Sequence, residues 1–171
     1  MEFSEVIRSR YSVRKFQARP VEQEKLDAIL SAVTAAPTAC NNQPQKVYVL
    51  KSEEAREKLK EVCPCTFDAP LVFVVGYDED LPAAGRIRPD YRFGETDAAI
   101  VTTMMMLTAQ AEGLGSCYVG WFCSEEVKEA LSLPEKLQVT AILPVGYPAE
   151  DAAPADLHGK TRPASEMIFE L

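Results

Sequence analysis

The sequence predicts a single α+β domain over residues 1–171, on three observations. Segments of helical and of strand period are mixed along the chain without the regular strand–helix–strand alternation of a doubly wound sheet. A length of 171 residues with 47% hydrophobic and 26% charged side chains suits one ordinary globular domain. No repeat, low-complexity tract or linker divides it.

Leu26, Ile29, Leu30 and Val33 recur at helical spacing after Pro20-Val21-Glu22, predicting a helix from about Val21 to Ala35 that Pro37 ends. Pro37 to Pro44 is a loop of small and amide side chains leading into a strand, Lys46 to Leu50. Glu53 to Val62 reads as an exposed helix. Leu71 to Val75 is an unbroken apolar run, hence a strand buried on both faces and central in its sheet. Asp78 to Gly94, with two prolines, two glycines and many charges, reads as a surface excursion that would cover a site.

Glu95 to Glu112 predicts a long core helix closed by Gly113-Leu114-Gly115-Ser116, where glycine supplies a left-handed cap. Cys117 to Phe122 follows as a short strand or extended loop. Ser124 is the expected N-cap of a helix with Glu125 and Glu126 in its first turn. Val139 to Val145 is the last clear strand, and Pro144 within it predicts an edge or strand-end position. The remaining tail is polar and proline-rich, suited to wrapping over another surface.

A net charge of −8 argues against nucleic acid or an anionic membrane as partner, since both need clustered Lys and Arg. The apolar stretch Ala98–Ala111 is too short for the roughly 20 residues a bilayer needs. Met-Glu-Phe-Ser-Glu carries no basic, apolar leader, so a cytoplasmic location is expected. Five cysteines at irregular spacing (Cys40, Cys63, Cys65, Cys117, Cys123) read as reduced thiols rather than a disulfide framework.

Against this acidic background, Ile7 to Arg19 carries five basic residues and no acid. Arg10, Ser12 and Arg14 alternate, so an extended chain puts two guanidiniums and a hydroxyl on one side, a set suited to a phosphate monoester. A solvated basic loop explains the same residues. Lys160 and Arg162 form a second basic pair that alone reads as solvated. Asn41-Asn42-Gln43 offers carboxamides for the edge of a planar heterocycle, or ordinary turn chemistry. Gly120 reads as a bend and Trp121 as a buried or interface aromatic.

Taken in order, these segments resemble one family. Arg10-Tyr11-Ser12-Val13-Arg14-Lys15-Phe16 is similar to the R-x-S-x-R-x-F element that opens flavin-dependent nitroreductases. Ala36-Pro37-Thr38-Ala39-Cys40-Asn41-Asn42-Gln43-Pro44 is similar to their A-P-S-x-x-N-x-Q-P loop. Gly113 to Ser116, Val119 to Phe122, Val145 to Pro148 and Lys160-x-Arg162-Pro163 match the remaining landmarks, so the resemblance spans nearly the whole chain.

The resemblance implies a mixed or antiparallel sheet flanked by helices, in an intertwined homodimer with flavin mononucleotide (FMN) at the interface. Arg10 and Ser12, with Tyr11 between them, would join Lys160 and Arg162 at the phosphate, and Arg14 would lie beside the pyrimidine side of the ring. Pro37, Thr38, Ala39 and Asn41 would line the flavin from the partner subunit, with Gln43 nearby. The backbone N–H of Gly120, with that of Trp121, would face the hydride-accepting nitrogen.

NADH or NADPH would donate a hydride and a nitroaromatic, quinone or second flavin would take it in ping-pong fashion, with no catalytic side chain required. The only histidine, His158, reads as a surface residue. Cys63 to Phe67 departs from the family pattern, which carries a basic or amide side chain there; its thiols are spaced too tightly for usual zinc motifs. A flavin-storing or flavin-sensing protein without turnover is the rival reading, and a nicotinamide dehydrogenase of the G-x-G-x-x-G type is not supported.

Overall fold

A computed structural model describes residues 2–85 and 90–171. Five helices, α1 (Phe3–Ser9), α2 (Gln23–Ala35), α3 (Glu53–Val62), α4 (Gly94–Ala111) and α5 (Ser124–Leu131), accompany four strands among these residues. The strands are β1 (Gln45–Leu50), β2 (Leu71–Asp78), β3 (Gly115–Ser116) and β4 (Leu137–Gly146), and they form one sheet in the order β1-β2-β4-β3. All three strand pairings are antiparallel. A parallel element enters only as a bridge between Ser12 and Ser116.

The two-residue alternation of β2 sorts the molecule into three layers. Leu71, Phe73 and Val75 pack with Leu143 and Val145 against Leu26 and Ile29 of α2 and Val101 and Met105 of α4. Val72, Val74 and Ile142 face the other way, toward Leu59 of α3 and Val127 of α5. Six consecutive residues of β2 are therefore buried, as the unbroken apolar run requires.

Several elements sit differently from the sequence reading. Pro144 has the expected strand-end position, two residues before the last of β4, although that strand is internal and not an edge. Its carbonyl accepts from Cys117 N–H (3.2 Å), so its missing N–H faces the side of the two-residue strand β3, where little ladder is forfeited. Ser124 does not cap α5: its hydroxyl accepts from Val139 N–H (3.1 Å), tying the helix to β4, and Cys123 occupies the cap position. Helix α1 was not foreseen, being only 7 residues long with a single buried side chain, Val6. Gly113 takes the expected left-handed conformation (φ 75°) after α4. The excursion runs from the end of β2 to the start of α4, and its residues 86–89 lie outside the described residues.

Gly76 sits where the β2–β4 register shifts by one residue. A Cβ there would stand 2.2 Å from the Gln138 carbonyl oxygen, a backbone atom that cannot swing aside. Gly76→Ala is therefore expected to cost about 1–3 kcal/mol in urea denaturation, as other overpacked substitutions do.

Just past the end of β4, the Tyr147 ring lies under the Arg19 guanidinium (4.0 Å) and the Lys25 ammonium (5.2 Å). Its hydroxyl donates to Glu22 (2.6 Å), and this bond, with Arg19, lowers the Glu22 pKa from 4.5 to about 2. Because the folded value is depressed, the stability Glu22 lends is complete above its ordinary pKa and is lost as pH falls through about 2. Carbon-detected NMR titration of the Glu22 carboxyl should show this value rise toward 4.5 in Tyr147→Phe.

Candidate functional site

The basic segment is built as an extended arm. Helix α1 ends at Arg10, whose backbone is already extended (φ −65°, ψ 131°). Val13 N–H then donates to Ser116 O (2.9 Å), and Val13 is buried against Gly115, where a Cβ would approach it to 2.5 Å. With Val13 turned inward, alternation sends Arg10, Ser12 and Arg14 the other way. All three act on one neighbour, the buried Cys117 thiol: burial pushes its pKa up, while Arg14, a hydrogen bond with Ser12, and Arg10 oppose the rise. Arg14 donates to the Ser12 carbonyl (3.3 Å). Neither Arg10 nor Arg14 has a carboxylate partner among the described residues.

The far end of the chain returns to this arm. Gln17 N–H donates to Tyr147 O (2.9 Å) and Ala149 N–H to Lys15 O (3.0 Å), while Lys15 pairs with Asp151. Tyr11 O–H reaches Ala152 O (3.4 Å), and the Tyr11 ring meets the edge of His158 at 6.2 Å between centroids. His158 thus has a packing role, and the segment that carries Lys160 and Arg162 starts beside Tyr11. Lys160 and Arg162 are exposed, with Arg162 3.7 Å from Glu166.

The amide loop lies elsewhere. Pro37 ends α2, and Ala39–Asn41 forms a single 3-10 turn. Cys40, Asn41 and Gln43 all have positive φ (55°, 55° and 49°), a conformation that L side chains occupy at a cost of about 1–2 kcal/mol each. The turn is closed from within by Gln43 N–H to Thr38 Oγ1 (3.1 Å) and Asn41 N–H to Thr38 O (3.0 Å). From outside, Ala39 N–H donates to Asp97 Oδ1 (2.9 Å) on the first turn of α4. Asp97 is a residue the sequence reading passed over; its signal was an acid opening an otherwise apolar helix.

The arm and the loop sit at opposite ends of α4. Ser9, just before the arm, accepts from Gln110 Nε2 (3.0 Å), whereas the loop is tied to Asp97. Thirteen residues at 1.5 Å per residue separate these attachments by roughly 20 Å. One protomer therefore does not bring Arg10 and Asn41 together.

Gly120 and Trp121 are exposed, Trp121 to 77%, and a Cβ at Gly120 would meet nothing within 4 Å. Trp121 is thus not a core aromatic of the protomer. Cys65 neighbours both Cys63 and Cys117, and burial raises the pKa of those two thiols. No group of His, Cys, Asp and Glu suited to a metal ion occurs among the described residues. No helix among them is long and apolar enough to cross a membrane.

Comparison with known proteins agrees with this architecture. The Nitroreductase family model matches residues 7–68 and 63–147. A NADH dehydrogenase/NAD(P)H nitroreductase of Methanothermobacter thermautotrophicus is 31% identical over 169 residues, covering 95% of this chain and 85% of that protein. An FMN reductase [NAD(P)H] of Bacillus subtilis is 29% identical, covering 88% of this chain and 68% of that protein. A nitroreductase family protein of Clostridium difficile superposes with a TM-score of 0.90 at 36% identity over 99% of this chain and 98% of its own. An arm, a strained amide loop and a sheet arranged in this order, matched over nearly the whole length, place the chain in the Nitroreductase family.

Proposed function

We propose that this protein is an FMN-dependent NAD(P)H oxidoreductase working as a homodimer. The observation that carries the reading is the arm: two guanidiniums without carboxylate partners among the described residues, and a hydroxyl, share one side of an extended strand in an acidic protein. That donor set suits a phosphate monoester, since fixed N–H and O–H donors satisfy its oxygens and the paired positive charge balances it. Its relatives' names include FMN reductase and NAD(P)H nitroreductase.

Arg10 and Ser12 hold the phosphate, joined by Lys160 and Arg162 from the returning tail, with Tyr11 fixing that tail in place. Arg14 sets a permanent cation beside the pyrimidine side of the isoalloxazine, where negative charge on reduction is stabilised. Gly120 and the backbone of Trp121 leave an open approach to the ring, because glycine adds no side chain. When bound, FMN takes a hydride from NADH or NADPH and delivers it to a small acceptor such as a nitroaromatic, a quinone or another flavin.

A second copy supplies Pro37, Thr38, Ala39, Asn41 and Gln43. The separation along α4 supports this, as does a shallow apolar strip on α4 formed by Thr96, Ala99, Ile100, Thr103 and Met104. These positions recur at three and four residues, the spacing of one helix face. A paired α4 face would carry each protomer's loop to the other's arm.

The purified protein should be yellow and release FMN on denaturation, and it should oxidise NADH or NADPH with menadione or a nitroaromatic present. Flavin bound without turnover on any acceptor would make it a storage or sensing protein instead. Arg10→Ala with Arg162→Ala removes two charged contacts of about 1.5–3 kcal/mol each and should lower FMN affinity at least a hundredfold. Full flavin content of that double variant after gel filtration would overturn the phosphate assignment.

A further inference from the structure

Asp97 is 2% exposed, yet among the described residues only one of its two carboxylate oxygens is engaged: Oδ1 accepts from Ala39 N–H, while Oδ2 is buried with no hydrogen-bond partner among them. A half-satisfied buried carboxylate is costly, so its retention needs a compensating role. What it holds is the turn that carries three positive-φ side chains within four residues. The turn's internal bonds run between its own groups, and an exposed bond from Asn42 Nδ2 to Leu81 O (3.1 Å) ties it to the surface segment after β2. The bond to Asp97 ties it to the rigid 18-residue helix of the core.

We infer that Asp97 is a positioning residue for the flavin site: its carboxylate fixes Ala39 N–H and so keeps Thr38 to Gln43 in the strained, ligand-facing conformation before the ligand arrives. The inference rests on the FMN reading above. Its physical content is preorganisation. Without the anchor, a turn holding several left-handed residues relaxes toward ordinary backbone conformations, and binding must restore it at the expense of affinity. Asp97 touches neither flavin nor substrate in this scheme; it acts through the Ala39 amide.

The test uses full-length apo-protein, titrated with FMN by flavin fluorescence, and hydrogen exchange of the peptide over residues 37–44 without flavin. Asp97→Ala should weaken FMN at least tenfold and accelerate exchange at Ala39. Asp97→Asn keeps an acceptor oxygen and should restore both to within about threefold of the parent. Asp97→Leu fills the same space without an acceptor, and should behave as Asp97→Ala while guarding against a cavity that unfolds the chain.

A merely structural Asp97 would lower the apo Tm but leave FMN affinity, measured well below that Tm, within threefold in the Ala and Leu variants. That result overturns the inference, as would weakened binding with unchanged Ala39 exchange. A parent that binds no FMN at all overturns the functional reading together with the inference. A parent that binds FMN beside unaffected variants overturns the inference alone.

Discussion

Helix α4 is the constraint on which the arrangement depends. It is buried along one side by the sheet and α2, through Val101, Met105 and Ala109, and its two ends hold the two chemically distinctive segments. Asp97 at one end takes the amide loop; Gln110 and the Glu112 carbonyl at the other take Ser9 and Lys25. Because a packed helix does not shorten or bend at low energy, the distance between loop and arm is fixed by its length. A single protomer holds the arm and the loop at opposite ends of this helix, and under the proposed function a two-fold pair would unite them, the arm-to-loop contact occurring twice by symmetry.

Much of this was legible in the residues. The unbroken run Leu71 to Val75 announced a strand covered on both faces, and β2 is sandwiched between α2 and α4 on one side and α3 and α5 on the other. The alternation of Arg10, Ser12 and Arg14 survives in space because Val13 locks the arm's register against Gly115. What escaped the sequence depended on contacts between distant residues. Ser124 has every local credential of a helix cap, yet its hydroxyl is taken by Val139, fifteen residues on. Pro144 suggested an edge or a strand end, and the strand end is what it occupies; which strand lies beside it was not legible locally. Nothing local marks the partner of Asp97; only the fold shows the amide 58 residues upstream that it receives.

Charge is distributed with the same economy. The protein is acidic overall, but the acids near the arm pair with its outer cations and not with Arg10 or Arg14: Asp151 takes Lys15, and Glu22 takes Arg19 and Tyr147. Arg10 and Arg14 are left without a carboxylate partner among the described residues, and the net charge of −8 disfavours binding of polyanions.

The tail's return to Tyr11 also has a temporal side. The arm is fastened only by residues that come much later in the chain: Gly115 and Ser116 hold Val13, and Tyr147 to Ala152 and His158 follow more than 130 residues after the arm. Pairings of such sequence separation form late, after shorter-range ones such as β1–β2 and α2–α4 have ordered part of the chain. The basic arm is thus among the last segments to be closed, so the folding chain carries its most basic stretch unfastened until residues far along the sequence reach it.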